Sequence, residues 1–173
     1  MQTERIFYVM NIISWIVFLG YCIKAGAIAL VSILSLFGNS NATENLYMGI
    51  DLSSLFEFNT IHFSLLVLLL VIITSLKAYV FYLLIIIFKI INFDKPFNSS
   101  IVSLVFKISY ISLSVGLIGI LANSYMTWLR FKVFFTQIDI DTSAYIFMAG
   151  VIFIVATLFN RANEIQSENE LTI

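Results

Sequence analysis

The sequence predicts an all-α integral membrane protein, a bundle of four transmembrane helices that forms a single domain. Apolar residues make up 61% of the chain and charged residues only 11%, against roughly 45–50% and about 25% in globular proteins. A spanning helix requires about 20 mostly apolar residues. Runs of this kind cover residues 6–37, 61–91, 101–128 and 144–160. The only proline, Pro96, leaves these runs unbroken.

The runs differ in length. The first two correspond to roughly 45 Å of helix, so we expect these helices to tilt or to project beyond the hydrocarbon. The first run is too long for a signal peptide, whose apolar stretch has about 7–15 residues, and it predicts a retained span. The fourth run is the shortest and reaches the required length only with its flanking residues.

The distribution of basic residues predicts the orientation. Basic residues accumulate on the cytoplasmic side of a membrane protein. A cytoplasmic N-terminus leaves only Arg130 and Lys132 outside. On or near the cytoplasmic side it places Arg5, Lys89, Lys95, Lys107 and Arg161. We therefore expect both termini, and the tail at 161–173, to be cytoplasmic.

The two outer connections allow two interpretations. Residues 130–133 and 137–141 alternate polar and apolar side chains, and 48–52 does so around Gly49. This alternation is typical of a strand, although a glycine weakens one. The connections thus form either a small extracytoplasmic sheet or two irregular loops.

Lys89 and Lys107 lie near the ends of their runs, so Lys24 and Lys77 are the first candidates for a charge within the membrane, which costs on the order of 2.5–3.5 kcal/mol. Every Asp and Glu lies outside the runs. Lys24 lies near the predicted outer interface, where snorkelling suffices. Lys77 lies deeper. Either it also snorkels, or it lines an anion or lipid site with Thr74, Ser75 and Tyr79 nearby.

Several functional classes find no support. Cys22 and His62 are the only residues of their types, so an intrachain disulfide is impossible and a structural zinc site is not expected. The sequence contains no nucleophile motif, phosphate-binding glycine loop or nucleic-acid pattern. We expect no cofactor, no direct binding of nucleic acid and no enzymatic activity.

The third run contains small residues, with Gly116 and Gly119 at its centre. Small side chains let helices approach closely in lipid. They serve either packing within this chain or a homo-oligomer interface.

Two segments carry a family resemblance. The first is Lys95-Pro96-Phe97-Asn98, which leads into the third run. The second is the tail, with Arg161, Glu164, Glu170, Leu171, Thr172 and Ile173. Together they resemble the domain of unknown function 2975 group. The resemblance implies four spans, a Pro-Phe turn in the inner loop, a cytoplasmic tail and a bacterial cytoplasmic membrane, but no activity. The family often has Arg-Gly where this chain has Arg161-Ala162, which puts any role for that glycine in doubt here.

These observations lead to two principal hypotheses. The first is a non-enzymatic protein with a regulatory or accessory role, which contacts a cytoplasmic regulatory protein through the inner loop and the tail just described. The second is a small transporter or channel subunit, with an anion or lipid site around Lys77. An intramembrane enzyme ranks lowest. Membrane lipids are expected partners in each case.

Overall fold

The protein is all-helical in a computed structural model that describes residues 2–38, 40–91, 98–136 and 138–171. The elements are α1 (Gln2–Leu36), a 3-10 turn (Ser40–Asn45), α2 (Ser53–Phe58), α3 (Thr60–Ile90), α4 (Ser99–Arg130) and α5 (Thr142–Leu171). Helices α1, α3, α4 and α5 are long and apolar enough to cross a membrane. The four predicted runs thus form four continuous helices of spanning length and apolarity. The main difference lies in α5, which continues past residue 160 through most of the predicted tail.

The four long helices pack in a row, each antiparallel to the next. α1 packs against α3, α3 against α4 and α4 against α5, and in the described ranges no other pair of long helices comes into backbone contact. In the most apolar stretch of each helix, 44% of residues are buried in α3 and 39% in α4, against 11% in α1 and in α5. Helices α3 and α4 thus form the centre, and α1 and α5 form the edges exposed to lipid.

Ring contacts fix the two ends of the row. Phe7 of α1 meets Phe88 of α3 at 5.8 Å between ring centroids. His62 of α3 meets Trp128 of α4 at 5.6 Å. The tail end of the molecule therefore carries the start of α1 and the projecting end of α5. The cap end carries the two connections at 37–59 and 131–141.

The larger apolar core lies towards the cap end. It includes Leu46, Leu52 and Leu55 of the first connection, Phe63 and Leu66 of α3, and Phe135 and Ile140 of the second connection. A smaller cluster nearer the tail end consists of Val80, Leu83 and Ile108. The cap connections are thus part of the core rather than loose loops.

The expectation of a small sheet at this end is wrong for the part of the chain that the structure describes. Asp51 accepts hydrogen bonds from the Ser53 backbone N–H at 2.9 Å and from its hydroxyl at 2.6 Å, which favours the start of a helix over a strand. The backbone N–H groups of Lys132 and Val133 bond to Leu129 at 2.8 and 3.0 Å. Both backbone N–H groups thus bond within the last turn of α4 and do not pair with a neighbouring strand. Between the described residues of the two connections, one backbone hydrogen bond runs from the Thr136 N–H to the Asp51 carbonyl at 3.4 Å.

Helix α5 is displaced towards the tail end relative to α4. Thr142, its first residue, lies against Gly119, and about 16 Å of helix separate Gly119 from the end of α4 at Arg130. At the other end, Asn160 lies beside Ser99, the first residue of α4. Residues 161–171 therefore project beyond α4. The connection 131–141 must therefore run back alongside α4, towards the tail end, to reach the start of α5.

Close packing of α5 on α4 depends on small side chains. A Cβ atom at Gly116 would collide with Ile146, and one at Gly119 would lie 2.8 Å from Oγ1 of Thr142. The Ser109 hydroxyl donates to the Ala149 carbonyl at 2.9 Å. The two glycines therefore serve packing within the chain.

Candidate functional site

Lys77 lies at mid-height of α3 and contacts an aromatic ring. About 26 Å of helix separate it from Thr60, and about 20 Å from Ile90. Its Nζ atom lies 4.5 Å from the ring centroid of Tyr145, in the first turn of α5. Cation–π contacts of this length stabilise a desolvated ammonium group by up to about 2 kcal/mol.

Lys24 of α1 belongs to the same site. With Thr74 and Lys77 it lines a cavity of about 40 Å³, which has room for a few water molecules. Its Nζ atom lies 5.8 Å from the ring centroid of Tyr47, in the first cap connection. Two of the predicted intramembrane residues are thus neighbours of Lys77.

Acidic groups reach this site from the cap. Asp139 lines the cavity with both lysines. The carboxylates of Asp139 and Asp141 attract the Lys77 ammonium group, whereas Lys24 repels it. Both carboxylates lie outside the spans, as expected from the sequence, but the descent of 131–141 brings them to the depth of the lysines.

A tyrosine pair closes the site between the two edges of the row. The Tyr145 side chain hydrogen bonds with that of Tyr21 in α1, and Tyr21 lines the cavity. Since α1 and α5 make no backbone contact in the described ranges, this bond joins them through side chains alone. We name Tyr21, Lys24, Thr74, Lys77, Asp139 and Tyr145 the polar cluster.

Two predicted members lie elsewhere. Ser75 is exposed and does not line the cavity. Tyr79 stacks on Tyr82, with ring centroids 6.1 Å apart. In a helix, residues two positions apart do not share a face, which explains why Thr74 joins Lys77 while Ser75 and Tyr79 do not.

The sequence did not identify Tyr21, Tyr145 or Asp139. Tyr21 precedes Lys24 by one helical turn, so a helical projection of the first run could have suggested it. The other two enter the site only because α5 begins deep beside α4. The sequence feature that could have indicated this late start of α5 is the shortness of the fourth apolar run.

The tail-end residues show a cap and one ion pair. Asn98 precedes α4, and its side-chain oxygen accepts from the Ser100 N–H at 2.8 Å. Arg161 pairs with Glu164 at 2.9 Å on the projecting part of α5, and Asn160 also donates to Glu164 at 2.8 Å. Lys95, Pro96, Phe97, Thr172 and Ile173 lie outside the described residues. Glu170 and Leu171 are helical, but their side chains are likewise outside what the structure describes.

Across the described ranges, no three His, Cys, Asp or Glu side chains are grouped as a metal site would require. His62 contacts the hydroxyl of Tyr125 at 2.7 Å through Nδ1 and stacks beside Phe58 at 6.3 Å. This group is an aromatic contact between α3 and α4 at the cap end.

Comparisons of the chain with family models, with curated proteins and with solved structures gave no match.

Proposed function

We propose that this chain is a non-enzymatic, multi-pass protein of a bacterial cytoplasmic membrane, with a regulatory or accessory role exerted through the projecting part of α5. The observation that carries the proposal is the continuity of α5. The first turn of α5 contains Tyr145 of the polar cluster, and the helix continues without interruption to Leu171. A displacement at the cluster would therefore move the projecting segment as one rigid element.

The projecting segment has the surface of a partner-binding helix. Arg161, Glu164 and Glu168 are charged, and Ile165 is 59% exposed among them. The Arg161–Glu164 pair is itself largely exposed, and such pairs stabilise a helix by only about 0.3–0.5 kcal/mol. An apolar side chain on a charged helix that lies beyond the predicted membrane boundary suits a soluble protein partner better than lipid.

The family resemblance and the orientation belong to the same proposal. Five basic residues at or near the tail end, against Arg130 and Lys132 at the cap end, support a cytoplasmic position for the tail end. The four apolar helices agree with the four spans that membership of the domain of unknown function 2975 group would imply.

An anion path along Lys24 and Lys77 has less support. The cavity that they line measures about 40 Å³, whereas sites for small solutes usually enclose roughly 300–1,000 Å³. The polar cluster is better suited to a sensory role than to passage of a solute.

Site-specific photocrosslinking in native membranes tests the proposal. A photoreactive residue at position 165 is expected to form a crosslink with a soluble protein. The matched control at position 134, where Phe134 is 81% exposed at the cap end, is expected to give none. Truncation of residues 163–173 should abolish copurification of the crosslinked partner and leave the bundle folded. Crosslinks of equal yield at both positions, or a partner that survives truncation, would contradict the proposal.

A further inference from the structure

A groove between α4 and α5 opens at the tail end. It encloses about 520 Å³ and is lined by Ser99, Ser103, Lys107 and Tyr110 along one face of α4 and by Asn160 of α5. Nearer the cap end, small residues bring the two helices together. At the groove, the facing side chains are aromatic, with Phe106 and Phe153 at 5.5 Å between ring centroids. The helices leave a space there that opens towards lipid.

Lys107 is the charged side chain in the described lining of the groove. No acidic residue is among the described side chains that line it. Lys107 is exposed and makes no ion pair with a described residue. About 12 Å of helix separate it from Ser99. Side chains on a helix lean towards its N-terminus, so the lysine stem directs the ammonium group towards the tail end, where the headgroup layer is expected.

The groove is polar at one end and apolar at the other. Hydroxyl groups of Ser99 and Ser103 lie on the side of the tail end, beside Asn160, whose amide donates to Glu164. Tyr110 stacks on Phe106 with ring centroids 6.4 Å apart, and Phe153 also packs against Tyr110 at 6.3 Å. Polar donors followed by an aromatic wall match the order of headgroup and acyl chain in a phospholipid.

We propose that this groove binds one anionic glycerophospholipid. Its phosphate lies against Lys107 and the serine hydroxyls, and an acyl chain lies along Phe106 and Tyr110. A zwitterionic lipid binds more weakly, because it carries no net negative charge to balance Lys107. This site is separate from the polar cluster and does not depend on a protein partner.

Native mass spectrometry of the full-length protein in detergent tests this site. Phosphatidylglycerol is expected to bind as a single adduct in preference to phosphatidylcholine. Lys107→Gln should reduce that preference about fivefold, the ratio that corresponds to the attraction of one basic residue to anionic lipid. The matched variant Lys132→Gln removes an exposed lysine at the cap end and should retain the preference. Equal losses in both variants, or equal binding of the two lipids to the unaltered protein, would overturn the proposal.

A second variant tests the contribution of the groove's shape independently of the charge of Lys107. Ser103→Phe fills the groove and keeps Lys107, so it should remove the bound lipid whatever its headgroup. Inorganic phosphate should fail to displace phosphatidylglycerol, because it lacks the acyl chain. Retention of lipid in the Ser103→Phe variant, or displacement by phosphate alone, would show that the aromatic wall takes no part. Unchanged circular dichroism of each variant controls for misfolding.

Discussion

The Lys77 ammonium group has three kinds of neighbour: a tyrosine ring, a second lysine and carboxylates from the cap. Desolvation of the charge costs on the order of 2.5–3.5 kcal/mol. The contact with Tyr145 returns about 2 kcal/mol when the ammonium group is desolvated, and the carboxylates of Asp139 and Asp141 add to this return. The charge is therefore a net cost to stability of at most about 1 kcal/mol on these figures.

Lys77→Met should accordingly stabilise the protein. We expect the Tm in lipid nanodiscs to rise by at most roughly 2–4 °C, the shift that corresponds to about 1 kcal/mol in a chain of this size. The variant Lys132→Met, at an exposed cap position, should leave the Tm nearly unchanged. A lower Tm for Lys77→Met would mean that the cluster holds the protein together and that its role is structural.

The polar cluster could be predicted from the sequence only in part. Lys24, Thr74 and Lys77 were identifiable because a polar residue in an apolar run is a local property of the sequence. Tyr145 and Asp139 were not, because their proximity depends on the level at which α5 starts. That level is determined by packing of Ile140 and Thr142 on α4, a contact that no local pattern reveals.

At the scale of elements, the packing of α5 on α4 holds the arrangement in place. Gly116 faces Ile146, whereas a Cβ atom at Gly20 in α1 would meet nothing within 4 Å. The same substitution at these two positions should therefore have opposite effects. Glycine inside a helix is less stable than alanine by about 0.5–1 kcal/mol, but overpacking costs about 1–3 kcal/mol.

We expect Gly116→Ala to lower the Tm and Gly20→Ala to leave it unchanged or raise it slightly. Thermal unfolding of the two variants under identical conditions measures the difference. Adding Ile146→Ala to the Gly116→Ala variant should recover part of the loss, since it removes the colliding side chain. Equal Tm values for the two single variants would show that α4 and α5 are not in close contact at Gly116.

The spans could be predicted well because length and apolarity alone define them. The cap could not be predicted in the same way. Residues 48–52 and 130–133 alternate as a strand would, yet the positive φ of 45° at Met48 and 88° at Gly49 turns the first segment. The second segment continues the last turn of α4. Leu52 of the first segment is buried, but Met48 is 85% exposed and Phe131 of the second is 84% exposed, so the alternation does not follow the two faces of a strand.

At the scale of the whole molecule, the antiparallel row places Gln2 and Leu171, the first and last residues that the structure describes, at the tail end. In the proposed orientation this end is cytoplasmic, and the cap end, where Lys132 is exposed, faces the opposite side.

Cysteine labelling in intact cells measures this orientation. The native Cys22 is exposed on α1, so it is first replaced by serine. We expect a membrane-impermeant maleimide to label Lys132→Cys from outside and Ser167→Cys only after permeabilisation. The reverse pattern would contradict the orientation, and labelling of both sites from outside would contradict an even number of spans.

The displacement of α5 gives the row two unlike edges. The α1 edge presents an apolar surface along the 32 residues Arg5–Leu36, about 48 Å of helix. The α5 edge presents only the stretch between Thr142 and Asn160, about 27 Å. The bilayer adapts to such a mismatch by becoming thicker or thinner, and the helix adapts by tilting. We therefore expect the bilayer to be thinner beside α5 than beside α1, with short-chain lipids enriched at the α5 edge and longer ones at the α1 edge.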